Sequence, residues 1–433
     1  MNLRPALLAL GIALLPVVAW GQSNAVVSHA NGTTIVVQQD SNATLVGVEL
    51  SVQAGLDRQT LAQNGLAALV AQSILETPVG GGLSMEDAIA AKGGSVHFTV
   101  EPSDVRFYVE TVSGQGPDVL GLFMRALAAP DFSAGTVRAA RNELVRSIAN
   151  SQQEPLSVGI EMLDLSQVNG ANSGLPLLGT PASLFQLGPS DASAFYRAYY
   201  LRGGSSVSAV GRVDAIGTQT LQRLALALPS GSTHPVAMSI APLHGSNHQL
   251  VAHRDISAPW LVVQYTAPTL DSPDYGPMLV LSAFLQRTLG DIVEIPGTIS
   301  PTLASHAVGT LYAFDRAPAS LVLYVDGGIG DPNRTFGTAL SVVNLLSGTK
   351  LQGSIDEFKS IAAGDFADRA VTLESQAWLG GAFARRTGSA DYLSATLRAI
   401  AATTPADLQR VARRYLGNPT IALVLPRSGA LQN

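Results

Sequence analysis

Alternating apolar and polar positions recur along the chain and predict short β-strands, because successive side chains of a strand point to opposite faces of a sheet. These stretches are 44–52, 95–100, 105–112, 205–210, 260–267, 309–314, 321–326 and 420–425. Between them, apolar residues three and four positions apart predict helices at 65–75, 116–128, 134–151, 277–288, 335–346 and 373–387. Hairpin-like strand pairs with helices grouped around them predict an α+β fold, in which helices pack on antiparallel-rich sheets.

The order of these elements occurs twice. Residues 105–110 (VRFYVE) resemble residues 321–326 (LVLYVD), 216 positions later, and 94–100 (GSVHFTV) resemble 309–314 (GTLYAF) at an offset of 215. Asp191 and Asp407 are 216 residues apart, and each lies near the start of a predicted helix. A period this long exceeds the ~20–50 residues of solenoid repeats. The pattern therefore predicts two homologous domains in tandem.

The predicted domain boundaries follow from composition. We expect a signal peptide at 1–21, an N-terminal domain at 22–230, a linker at 231–247 and a C-terminal domain at 248–433. The linker region is rich in Pro, Gly, Ser and His, which is typical of a connection between domains. Asp191 and Thr404 are the predicted N-caps of the last helix in each domain.

The N-terminus has the pattern of a secretory signal peptide. One positive charge in residues 1–4 precedes an apolar run at 6–18, and Ala19 and Gly21 are small residues before the predicted cleavage point. The alternative is a membrane anchor, but the run is shorter than the ~20 residues that span a bilayer. We therefore expect a periplasmic or secreted mature chain with no membrane anchor after cleavage.

Charge and cysteine content exclude several classes of function. The chain has three lysines and a net charge of −6, so we expect no nucleic-acid partner. It has no cysteine, which excludes disulfides, thiolate metal sites and a cysteine nucleophile.

Residues 55–74 read GLDRQTLAQNGLAALVAQSI. They resemble the signature of the insulinase/pitrilysin/mitochondrial processing peptidase family, in which an acidic loop leads to a helix that begins Gly-Leu-Ala and carries His-x-x-Glu-His. The glycines at 93–94, the segment APDF at 129–132 and the predicted helix at 134–151 support the resemblance. It extends over essentially the whole mature chain, because this family is itself built from duplicated domains.

The resemblance implies a zinc peptidase fold whose zinc site has been lost. In the family, two histidines at i and i+4 bind zinc, a glutamate beside the second is the general base, and a later glutamate is the third ligand. Here the histidine positions are Ala68 and Gln72, the base position is Ala71, and the third-ligand position falls near Ser147. Glu143 lies one turn away. Alanine cannot coordinate metal and glutamine is a poor zinc ligand. We therefore expect no catalytic residue and no metal in this chain.

Two residues are candidates for substrate binding. His97 lies on a predicted edge strand where family members carry asparagine, and such a strand can pair with substrate backbone. Tyr312 takes the tyrosine position of a family arginine–tyrosine pair, whose arginine position falls on Ser305. Each residue has a structural alternative: a half-buried strand histidine and a core tyrosine.

The family resemblance implies three possible functions. The first is a non-catalytic subunit that completes the substrate chamber of a zinc-containing insulinase-family partner in a heterodimer and binds extended peptides. In that case zinc is expected only in the partner. The second is a stand-alone periplasmic peptide-binding homodimer. The third is a metallopeptidase with a non-standard site.

Overall fold

The computed structural model describes residues 25–166, 174–232, 249–293, 308–316, 319–326 and 355–427. The predicted signal peptide at 1–21, most of the predicted linker at 231–247 and the predicted helix at 335–346 lie outside these residues. No helix within the described ranges is long and apolar enough to cross a membrane.

The first sheet has six strands, in the order β1-β2-β8-β3-β7-β6. They are β1 (Ala25–Ala30), β2 (Thr33–Gln39), β3 (Leu45–Val52), β6 (Ser95–Val100), β7 (Val105–Val112) and β8 (Ser206–Gly211). All neighbours are antiparallel except β2 and β8. The long central strand β3 is buried along nearly its whole length, and β1 and β6 form the two edges.

Eight helices and a short hairpin accompany this sheet in the chain. The helices are α1 (Leu66–Leu75), α2 (Met85–Ala90), α3 (Gly116–Ala128), α4 (Ala134–Ser151), α5 (Pro155–Ser166), α6 (Pro181–Gln186), α7 (Pro189–Tyr199) and α8 (Thr218–Ala227). The hairpin pairs β4 (Pro78–Gly80) with β5 (Leu83–Ser84). Helix α1 packs between the sheet and the helices α4 and α7 and contributes all its apolar residues to the core. It is therefore the most enclosed helix of this half.

The second sheet has five strands, in the order β11-β12-β10-β13-β9. They are β9 (Gln249–Arg254), β10 (Trp260–Thr266), β11 (Val308–Ala313), β12 (Ser320–Asp326) and β13 (Thr420–Pro426). Helices α9 (Tyr275–Val293), α10 (Asp356–Arg369), α11 (Leu373–Thr387), α12 (Tyr392–Ala402) and α13 (Pro405–Tyr415) accompany it. The aromatic rings of Tyr275, Tyr312 and Phe314 form the centre of its core. The predicted α+β fold class, with helices packed on antiparallel-rich sheets, is confirmed. The strands of the two sheets fall in separate halves of the sequence, while the domain boundaries themselves remain predictions.

The strand pairing shows which residues of the two repeats are structurally equivalent. Tyr108 and Tyr324 occupy equivalent strands 216 residues apart, and their partners on the adjacent edge strands are His97 and Gly309. The equivalent of His97 is therefore Gly309, and the offset at this strand is 212 rather than 215. The difference arises because the connection between β11 and β12 is longer than that between β6 and β7.

The two halves exchange one helix each. Helix α5 of the first half packs on β10 and β13 of the second sheet, and α11 of the second half packs on β2, β3 and β8 of the first sheet. The contact is close at Gly159 of α5, where an added Cβ would lie 2.5 Å from Cγ2 of Val262. Only glycine fits that approach. Each sheet thus lies between helices of its own half and one helix of the other.

Candidate functional site

The helix that aligns with the family's zinc-binding helix is held by a specific turn. Gly65, which precedes α1, has φ of +92°, a left-handed conformation that favours glycine, and an added Cβ would lie 2.9 Å from Cδ2 of Leu184. The first-turn N–H of Ala67 donates to Oε1 of Gln59 at 3.1 Å. These contacts fix where α1 begins and how it approaches the sheet.

The zinc positions on α1 are filled with packed side chains. Ala68 and Ala71 are fully buried in the apolar core, and Gln72 is 5% exposed. The Gln72 amide donates to Oε1 of Glu76, one turn further on, at 3.3 Å. All ten residues of α1 are buried, so its side chains pack mainly against other parts of the protein.

The third-ligand position also lacks a zinc ligand. Ser147 lies on α4, which packs against α1. The nearby carboxylate of Glu143 forms an ion pair with Arg146 on the same helix. Catalytic zinc sites have three protein ligands, commonly histidine and carboxylate. The residues at these positions do not fit zinc, and no group of three metal-binding side chains occurs among the described residues.

Four carboxylates, from the C-terminal end of α1, from α2 and from α4, lie near one another. Burial raises the pKa of Glu86, and the charges of Glu76, Asp87 and Glu143 raise it further. These groups are therefore close enough to repel one another. The Gln72 amide of α1 donates to one of them, Glu76. With Ala68 and Gln72 at the family's histidine positions, these carboxylates have no histidine there with which to form a zinc site.

His97 lies on an edge strand, as predicted, because β6 forms one side of the first sheet. Its Nε2 lies 2.8 Å from Oε1 of Glu374 at the start of α11, and both side chains are 48% exposed. The imidazole also contacts the ring of Tyr108, with centroids 5.6 Å apart. His97 therefore links the edge of the first sheet to the exchanged helix, at a strand that pairs only with β7 among the described residues.

Tyr312 is buried in the core of the second half. Its hydroxyl donates to the carbonyl of Pro268, and its ring packs against Tyr275 and Phe314. Ser305, its predicted partner position, lies outside the described residues. His97 and Tyr312 lie on edge strands of different sheets, and no contact between them is found within the described ranges. The substrate-binding role of both residues remains a prediction.

An ion network between the two halves was not predicted from the sequence. Glu101 contacts Arg106 at 2.9 Å and Arg316 at 2.8 Å, and Asp104 contacts Arg385 at 3.5 Å. Burial raises the pKa of Glu49 to about 7, although Arg106 and Arg385 lower it. The only sequence signal was a glutamate inside the apolar strand 45–52.

Known proteins resemble this chain in sequence over one part and in fold over nearly all of it. The insulinase family (Peptidase family M16) model matches residues 34–181. No curated protein matches the chain.

Three solved structures have the same fold. The peptidase M16 inactive domain from Pseudomonas fluorescens is 16% identical with a TM-score of 0.76, and the alignment covers 93% of this chain and 98% of that one. A protease from Helicobacter pylori is 15% identical with a TM-score of 0.77, covering 94% and 100%. A chain of complex III2 from Candida albicans, bound to Inz-5, is 15% identical with a TM-score of 0.71, covering 93% and 96%. Residues 34–181 thus match the insulinase (M16) family model, and the chain shares its fold with these three structures over nearly its whole length.

Proposed function

We propose that this chain is a non-catalytic subunit of an insulinase-family peptidase complex. The observation that carries the proposal is the state of α1, where Ala68, Ala71 and Gln72 replace the zinc ligands and the base and lie buried in the core. A catalytic zinc needs ligands and an open coordination position for water. This helix provides neither.

The relatives support a role within an assembly. One structural neighbour is an M16 inactive domain, and another is a chain of a multi-subunit complex. In the proposed complex, a second chain with an intact zinc site supplies the chemistry, and this chain completes the chamber. The predicted signal peptide supports a periplasmic or secreted location for this chain, and the proposal requires the partner to be in the same compartment.

The edge of the first sheet is the proposed contact for extended peptide. Strand β6 pairs only with β7 in the described part of the chain, so its outer backbone groups can accept a further strand. His97 and Glu374 lie beside that edge and can contact a side chain of the added strand. Backbone pairing would give affinity for many peptides, with little selection by sequence.

Co-purification with a zinc-containing M16 chain tests the complex. The chain alone should not hydrolyse peptides with or without added zinc, and the partner alone should be weakly active. A one-to-one mixture should co-elute and be several-fold more active, with activity lost on chelation. If the partner cleaves equally well alone, or the two chains elute separately, the proposal fails. Chelator-sensitive hydrolysis by this chain alone would instead indicate a non-standard metallopeptidase.

Photo-crosslinking tests the peptide contact. A photoreactive residue in place of Ser95, exposed on β6, should capture a bound extended peptide. The matched control is Val26, 61% exposed on β1 at the opposite edge of the same sheet. Equal capture at both positions would contradict selective pairing at β6. Capture at Ser95 by the chain without any partner would favour a stand-alone peptide-binding homodimer.

A further inference from the structure

A cavity of about 350 Å³ lies between the two halves of the chain. Helix α5 and residues 174–179 form one wall, and strands β10, β11 and β12 form the other. Ile160, Leu175, Leu311 and Val322 make most of this lining apolar. Its volume lies within the range of about 300–1,000 Å³ that is usual for small-molecule sites. The cavity includes residues of the exchanged helix and none of the edge strand β6, and it approaches α1 through Leu178 and Gly179, which contact Gly65.

Two carboxylates enter this apolar space from α5. Glu161 and Asp164 are three residues apart and so lie on the same face of the helix. The Gln264 amide donates to Oδ1 of Asp164 at 2.9 Å, and the Gln152 amide donates to Oε2 of Glu161 at 2.9 Å. Both hydrogen bonds come from neutral amides, which orient the carboxylates without balancing their charge.

Among the described lining residues, Arg316 is the one cation, and it is already engaged: its Nε lies 2.8 Å from Oε2 of Glu101 in the ion network. Burial raises the pKa of Asp164, which the Gln264 hydrogen bond and Arg316 only partly oppose. Burial also raises the pKa of Glu161, against the Gln152 hydrogen bond and the charge of Arg254. The described lining therefore carries two carboxylates and one arginine, and that arginine is already paired with Glu101.

We propose that the cavity binds a small amphipathic cation. Its ammonium or guanidinium group would lie between Asp164 and Glu161, and its apolar body would pack against Ile160, Leu311 and Val322. Charge complementarity selects a cation over a neutral or anionic molecule, because a buried carboxylate gains most from an ionised donor. The site uses only this chain's own two halves and is independent of any peptidase partner.

Calorimetric titration with three matched probes tests this site. Hexylamine, 1-hexanol and hexanoate have nearly the same apolar body and differ in charge. The full chain should bind hexylamine at least about tenfold more tightly than hexanol, since an ionised donor is the stronger hydrogen-bond partner. Hexanoate should not bind. Equal binding of the three probes, or no binding of hexylamine, would overturn the proposal.

Variants locate the binding. Asp164→Asn should weaken hexylamine binding by about tenfold or more and leave hexanol binding unchanged. Glu357→Gln, an exposed change on α10, is the control and should have no effect. Ala313→Leu, which fills the cavity from the sheet side without altering charge, should abolish binding of all probes. Undiminished hexylamine binding by Asp164→Asn or by Ala313→Leu would contradict the site.

Discussion

Arg316 of the second half and Glu101 of the first half form an ion pair across the interface, with Nε and Oε2 2.8 Å apart. Arg106 approaches the other oxygen of Glu101 at 2.9 Å and also packs over the ring of Trp378. Glu101 is 6% exposed, so its charge depends on these two arginines rather than on water. The first half thus supplies one of the two arginines that pair with Glu101, and the second half supplies the other.

Glu101→Gln should destabilise the chain by about 3 kcal/mol, because two partly buried arginines, 15% and 27% exposed, would lose their shared buried carboxylate. Denaturant unfolding measures the loss. Asp255→Asn is the matched control, since its pair with Arg427 is exposed, and it should cost less than ~1 kcal/mol. A double-mutant cycle with Arg316→Met should give a coupling of roughly 0.5–3 kcal/mol. Additive effects would mean that the pair contributes nothing.

The free energy of unfolding should fall as pH rises from about 4.5 to about 7, because burial raises the pKa of Glu49. Its pKa is about 7 in the folded chain and 4.5 in the reference state, so between these values the folded chain binds the additional proton. The free energy of unfolding therefore decreases from about pH 4.5 to pH 7 and levels off above. The charged groups that act on Glu49 are Arg106, Asp104, Asp315 and Arg385.

Glu49→Gln removes this dependence. Between pH 5 and pH 8 the wild type should lose on the order of 2 kcal/mol more unfolding free energy than the variant does. Urea unfolding across pH 4–8 measures the two profiles, with Glu357→Gln as the exposed control. Parallel profiles for wild type and Glu49→Gln would show that Glu49 titrates near its ordinary pKa.

Ala71→Glu, which restores the family's base, should destabilise the chain by several kcal/mol. The position is fully buried, and a carboxylate there would have neither room nor a partner. Thermal unfolding measures the effect, and Ala149→Glu, at an exposed position of α4, should change stability by less than ~0.5 kcal/mol. If both variants were equally stable, α1 would have to face an open chamber.

His97→Ala should cost less than about 1 kcal/mol, because its pair with Glu374 is half exposed and screened by solvent. Glu374→Ala should cost a similar amount, and the double variant should show little coupling. Chemical denaturation at low and high salt measures these changes. A loss above 2 kcal/mol would assign His97 a structural role and remove it from consideration as a peptide contact.

Much of the fold was predictable because its elements have strong local patterns. The predicted helix bounds at 116–128, 134–151 and 373–387 match the structure, and so do the strands at 95–100 and 105–112. Thr404 caps α13, as predicted. Asp191 was predicted as an N-cap, but Gly188 holds that position. Asp191 is the third helical residue and accepts from the Gly188 N–H at 2.8 Å.

The interface was not predictable, because it depends on contacts between distant parts of the chain. Strands β1, β2 and β9 also went unpredicted, because their residues (AVVSHA, TTIVVQQ and QLVAHR) do not alternate between apolar and polar. Some features of the candidate site could likewise be predicted from the sequence, and others could not. The absence of ligands at Ala68, Ala71 and Gln72 could be read directly from the aligned motif. The burial of Tyr312 and the pair between His97 and Glu374 required the three-dimensional fold.

The exchange of α5 and α11 bears on how such a chain could have arisen. Each repeat carries a helix that covers its neighbour's sheet, so one repeat alone would expose an uncovered sheet face and an unattached apolar helix. A single ancestral copy could have satisfied both surfaces only by trading helices with a second copy, as domain-swapped dimers do. Fusion of the two genes would then have made that partnership permanent. We therefore expect that neither half would fold stably if it were expressed without the other.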